Sequence, residues 1–242
     1  THLAWTAEHL LWAPGETVGF EVALMHSLPR PMAGLVATVQ VLSDEGFAPL
    51  WSARQAISAK AGPSVSKASL GSWKIPADYR DRYFFVLVEL RTAAGRLESR
   101  QVYWPRSLSM LSDAKTLLEF RDAPKEWPSL DRGPWLKPVV GAVRSGLRVE
   151  CLGRASTVFG RERLQVRVTN SGAKPAFPVS IEIDGVRHSA FASDNLFWLA
   201  PGESRTVSME VMWREAVPGT GVRIAASAWN AERQEVALPE RR

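Results

Sequence analysis

An acidic side chain, an amide and an indole stand close together at Asp194, Asn195 and Trp198. Such a trio could hold a sugar, because the carboxylate and amide bond hydroxyl groups while the indole face stacks on a pyranose ring. The same residues also make sense without a ligand. Asp and Asn side chains bond nearby backbone amides and tolerate unusual turns, so Asp194-Asn195 can fix a bend that Phe197-Trp198 anchors in a core. Pro201-Gly202 then makes a second turn, and the following alternation points Val207, Met209 and Val211 inward. A turn-and-anchor role accounts for more of the residues. A carbohydrate contact through Asp194, Asn195 and Trp198 is the alternative.

No other constellation suits chemistry, so catalytic, cofactor-binding and metal-ligating residues are expected to be none. His2, His9, His26 and His188 are far apart, with no pair at helical spacing and no cysteine cluster to complete a metal site. Cys151 is alone, which excludes an intrachain disulfide, and its alternating surroundings give it a core role. There is no Gly-x-Ser-x-Gly elbow and no glycine-rich phosphate loop. The closely spaced pairs Asp78 with Asp81 and Glu232 with Glu235 lie in polar, turn-like contexts and are expected to be solvated rather than to work as a dyad.

The elements that would position these residues are strands. The 242 residues, 45% hydrophobic and 23% charged, suit two soluble globular domains. In the first part Thr17–Leu24, Leu35–Leu42 and Tyr83–Leu90 read as strands, the last apolar enough to be central, and Ala93-Ala94-Gly95-Arg96 turns it into a hairpin partner at Leu97–Trp104. In the last part strands are expected at Leu147–Leu152, Leu164–Thr169, Val179–Ile183, Val207–Trp213 and Val222–Trp229, with Asp184-Gly185 as a hairpin turn into Val186–Phe191. Between them Pro124, Pro128, Pro134 and Pro138 argue against regular structure, while Trp127, Leu130, Trp135 and Leu136 supply apolar anchors for an ordered linker. The fold expected is therefore all-β: an immunoglobulin-like β-sandwich over 1–107, a Pro- and Trp-containing linker over 108–140, and a second sandwich over 141–242.

Charge and tryptophan content narrow the partners. The net charge of +5 comes from scattered Lys and Arg, so no nucleic-acid partner is expected. No apolar run approaches the ~20 residues of a membrane-spanning helix, and no membrane partner is expected. Thr1-His2-Leu3-Ala4-Trp5 lacks the pattern of a signal peptide and reads as part of a strand, which suggests a fragment or processed product. The ten Trp residues are assigned to cores and domain packing ahead of sugar stacking, because most lie in alternating segments or beside Pro.

Asn170-Ser171-Gly172, Ser193-Asp194-Asn195, Phe197-Trp198-Leu199 and Pro201-Gly202-Glu203, in that order, resemble the last immunoglobulin-like domain of family 2 glycoside hydrolases of the β-mannosidase and exo-β-glucosaminidase kind. The preceding domain of that family is similar to residues 1 to about 107, with Ala13-Pro14-Gly15-Glu16 before its first clear strand and Tyr103-Trp104 closing its last. Leu196 departs from the pattern, where an aromatic would be expected. The resemblance implies a non-catalytic region packed on a catalytic (β/α)8 barrel of the same polypeptide, with carbohydrate as a possible partner and a periplasmic or secreted location. It also implies that catalysis lies elsewhere: the family's acid/base Glu follows an Asn, whereas Asn170, Asn195 and Asn230 precede Ser, Leu and Ala, and a barrel needs ~250 residues of its own. A free-standing carbohydrate-binding or adhesion module is the competing expectation, and a chaperone-like sandwich with an open edge strand a third.

Overall fold

A computed structural model describes residues 1–7, 9–113, 115–116, 136–156, 161–215 and 221–239. Among the described residues strands predominate, and the chain divides into two compact units, Thr1–Leu136 and Lys137–Arg242.

Unit 1 contains strands β1 (His2–Trp5), β2 (Leu11–Trp12), β3 (Thr17–His26), β4 (Met32–Ser43), β5 (Pro49–Ala59), β6 (Ser64–Lys74), β7 (Arg82–Thr92), β8 (Leu97–Tyr103) and β9 (Arg106–Ser107). One sheet has the order β1-β3-β6; the other runs β2-β9-β7-β4-β5, with β8 also paired to β7. The expected β7–β8 hairpin is present, as is the alternation of β3, in which Val18, Phe20 and Val22 are fully buried. These side chains meet Val39, Val41, Phe84, Val86 and Val88 from the facing sheet in one core. Strand β7 is buried on both faces: besides Phe84, Val86 and Val88, the alternate residues Phe85 and Leu87 are 0% and 5% exposed. On that second face Glu89 accepts from Arg91 Nε at 2.8 Å and from Arg100 Nε at 2.7 Å, and the Arg100 side chain is only 3% exposed. Burial pushes the Glu89 carboxyl upward, but the Arg91 hydrogen bond together with the Arg100 charge and hydrogen bond outweighs it and holds the group below its ordinary value. The corner between β6 and β7 is locked by Tyr79, whose hydroxyl donates to the Tyr83 carbonyl at 2.6 Å. Arg82 lies 4.4 Å from the Tyr79 ring centre and bonds Asp44.

An early and a late strand of unit 1 are joined as the parallel pair β2–β9, where Arg106 N–H donates to Leu10 O at 2.8 Å and Leu108 N–H to Trp12 O at 2.9 Å. Leu108 and Leu111, in and beside a 3-10 turn at Ser109–Ser112, pack with Leu11 and Ala13. Of the segment expected to be a linker, 117–135 lies outside the described residues, including Trp127, Leu130 and Trp135. Pro138 does not break structure as expected. It sits in the first turn of a short helix, α1 (Leu136–Gly141), where a missing N–H costs no hydrogen bond, and its carbonyl accepts from Ala142 N–H at 3.0 Å.

Unit 2 contains β10 (Leu147–Ser156), β11 (Glu162–Asn170), β12 (Ala176–Asp184), β13 (His188–Ala192), β14 (Phe197–Leu199), β15 (Ser204–Trp213), β16 (Arg223–Ala228) and β17 (Ala231–Ala237). Two four-stranded sheets, β10-β11-β15-β13 and β14-β12-β16-β17, enclose Leu164, Val166, Val168, Val207, Met209 and Val211 from one side and Val179, Ile181, Ile183 and Ile224 from the other. The hairpin expected at Asp184-Gly185 does not form. Strand β13 pairs with β15, not with β12, so this turn carries the chain from one sheet to the other. Gly185 is at φ +95, and a Cβ there would meet the Gly221 carbonyl oxygen at 2.3 Å, so the crossover depends on glycine. A bulge between Cys151 and Gly153 interrupts β10, and burial pushes the Cys151 thiol pKa up. Near that edge Glu162 accepts from Arg154 Nε at 2.7 Å and Trp213 Nε1 at 2.8 Å, both charged side chains being under 10% exposed.

Candidate functional site

The segment from Ser193 to Glu203 links β13 to β15 through the short strand β14, and the side chains of Ser193, Asp194 and Asn195 in its first turn are each bonded. Ser193 N–H donates to Ser208 O at 2.7 Å, and Ser193 Oγ accepts from Ser208 N–H at 3.0 Å. Asn195 Oδ1 accepts from Ile181 N–H at 3.0 Å and from Leu196 N–H at 3.1 Å, tying the turn to β12. Asp194 forms an ion pair with Arg205, whose guanidinium stands 5.1 Å from the Phe197 ring centre. Leu196 lies in the left-handed region at φ +59 with its side chain 64% exposed.

Trp198 faces the other way. It is 2% exposed and packs on Phe177 with ring centres 5.5 Å apart, so no pyranose can stack on its faces. Asp194, Asn195 and Trp198 are therefore brought together along the chain but not onto one surface: a carboxylate paired with Arg205, an amide whose oxygen accepts from two backbone N–H groups, and an indole in the interior. The arrangement holds a bend between two sheets.

The motif's remaining parts are bonded to one another. Asn170, 0% exposed, closes β11, and its backbone N–H donates to Glu203 O at 2.9 Å while its carbonyl accepts from Gly202 N–H at 3.1 Å. Glu203 Oε2 in turn accepts from Ala200 N–H at 2.9 Å across the Pro201-Gly202 turn. The Asn170 side chain donates to Lys174 O at 2.9 Å and Leu199 O at 3.0 Å, and accepts from Gly172 N–H at 2.8 Å and Ser145 Oγ at 3.0 Å. The separation of Asn170 from Pro201-Gly202-Glu203 in sequence thus hides direct contact.

A second buried asparagine was not singled out by its sequence context. Asn230, also 0% exposed, accepts from Phe177 N–H at 3.0 Å and donates to Val143 O and Pro175 O, both at 2.7 Å. Only its place in the tight turn between β16 and β17 could have drawn attention to it.

The closely spaced carboxylates that the sequence offered are engaged or solvated. Asp81 accepts from Ser109 N–H at 3.0 Å and from its hydroxyl, bonds that lower the Asp81 carboxyl below its ordinary value, while Asp78 is exposed. Glu235 pairs with Arg233 at 3.0 Å and Glu232 is exposed. His26 is buried between Thr1 Oγ1 and Arg30 O, each at 2.8 Å, beside an open depression lined by His2, Met25, Ser64 and Val65. Among the described residues, no three His, Cys, Asp or Glu side chains are grouped so as to hold a metal. Trp5, Trp12, Trp73 and Trp198 are buried, whereas Trp104 and Trp229 are each 37% exposed.

Residues 155–230 match the Ig_mannosidase family, an Ig-fold domain. No curated protein matches the chain. Among solved structures, the exo-chitosanase CsxA of Amycolatopsis orientalis matches with a TM-score of 0.61 at 18% identity, over 90% of this chain and 25% of that one. A structure of the same enzyme, as exo-beta-D-glucosaminidase CsxA with inhibitors, matches at 0.59 and 19% identity over the same shares. The chain thus spans about a quarter of the length of these proteins, and at such identities the likeness is one of fold. Residues 155–230 thus match an immunoglobulin-fold family of the mannosidase type, and the expected likeness to the C-terminal immunoglobulin-like domains of a family 2 glycoside hydrolase is borne out.

Proposed function

We propose that this chain is a non-catalytic accessory region of a β-mannosidase-like family 2 glycoside hydrolase, packing on a catalytic (β/α)8 barrel of the same polypeptide and supporting carbohydrate hydrolysis. The observation that carries this reading is the mannosidase-type domain at residues 155–230 within a fold that matches a quarter of a longer exo-chitosanase. The Asp194–Arg205 ion pair, the bonds that Asn195 Oδ1 accepts and the burial of Trp198 support a structural role for the motif itself. A periplasmic or secreted setting belongs to the same proposal.

The decisive experiment is to sequence the natural transcript upstream of the codon for Thr1 and assay the encoded product on aryl β-mannosides and aryl β-glucosaminides. A barrel-sized upstream segment and turnover that is absent from residues 1–242 alone are expected. A start codon directly before Thr1 would overturn the accessory assignment and leave the free-standing binding module in its place.

A further inference from the structure

We draw no further inference here: the strongest candidate, the exposed apolar surface residues Phe191 in edge strand β13 and Leu196 in the turn after it, 75% and 64% exposed, carries nothing because nothing in the structure shows what covers them.

Discussion

Replacing Asn170 tests whether the motif is a structural clasp. In Asn170→Ala, Lys174 O keeps its bond from Ser145 Oγ at 2.6 Å, so the groups losing the side-chain partner are Leu199 O in the core and Gly172 N–H nearer the surface. A buried group left unsatisfied costs about 1–3 kcal/mol, and a rehydrated one less, which gives a loss of about 3 kcal/mol. Domains are stable by only about 5–15 kcal/mol, so this is a large fraction. With a urea m-value of about 2 kcal/mol per molar, the unfolding midpoint followed by tryptophan fluorescence should fall by roughly 1.5 M. Asn170→Asp is the sharper variant, because it sets an acceptor where the amide had donated to two carbonyls at 2.9 and 3.0 Å. The folded state then disfavours the carboxylate and raises its pKa above the unfolded value. Stability is therefore best retained below about pH 4 and lost as pH rises through the folded pKa, making Asn170→Asp less stable than Asn170→Ala at pH 7 but not at low pH. If both variants unfold within about 0.5 kcal/mol of the parent, or if the Asp variant has no such pH dependence, the clasp does not exist.

Trp198→Ala should cost about 3–5 kcal/mol by leaving a cavity beside Phe177, while glycan-array binding by the folded variant stays that of the parent; selective loss of glycan binding would restore the sugar-contact role. Gly185→Ala should destabilise unit 2 by more than about 2 kcal/mol in chemical denaturation, since both the positive φ and the Gly221 carbonyl oppose a Cβ, and a neutral result would mean that the crossover is looser than drawn. Glu89→Gln should cost about 2 kcal/mol at neutral pH by setting a neutral amide beside the buried Arg100. Because the Glu89 carboxyl is depressed, its stabilisation is present above the ordinary glutamate value of about 4.3 and lost as pH falls through the folded value, so the variant should show a shallower acid limb in thermal melts; an unchanged limb would remove Glu89 from acid unfolding.

The all-β class was legible because buried strands such as β3, β7 and β11 alternate or run apolar. Strands β5, β6 and β17 were not, for a shared reason. Their residues, such as Ser52, Arg54 and Gln55 in β5 or Glu232 to Glu235 in β17, are mostly exposed, and sheet-edge strands give little hydrophobic period to read. Asp184-Gly185 announced a reversal but not its destination, since a turn's local geometry does not say which sheet edge receives the next strand. At the candidate site, the bend at Asp194-Asn195 and the inward course of β15 were readable. The consumption of Asn195 by Ile181 and the clasp of Asn170 on Glu203 were not, because they join residues 14 and 33 positions apart.

The parallel pair β2–β9 gives unit 1 a mechanical property. Because the two strands point the same way, tension applied through the residue before β2 and the residue after β9 runs along the strands in opposite directions. The bonds from Arg106 to Leu10 and from Leu108 to Trp12 are then sheared together rather than opened one after the other. Strands joined antiparallel at such a site would instead peel. Under load, this join should therefore hold until both bonds fail at once, and only then expose the edge of β9, which stays paired to β7.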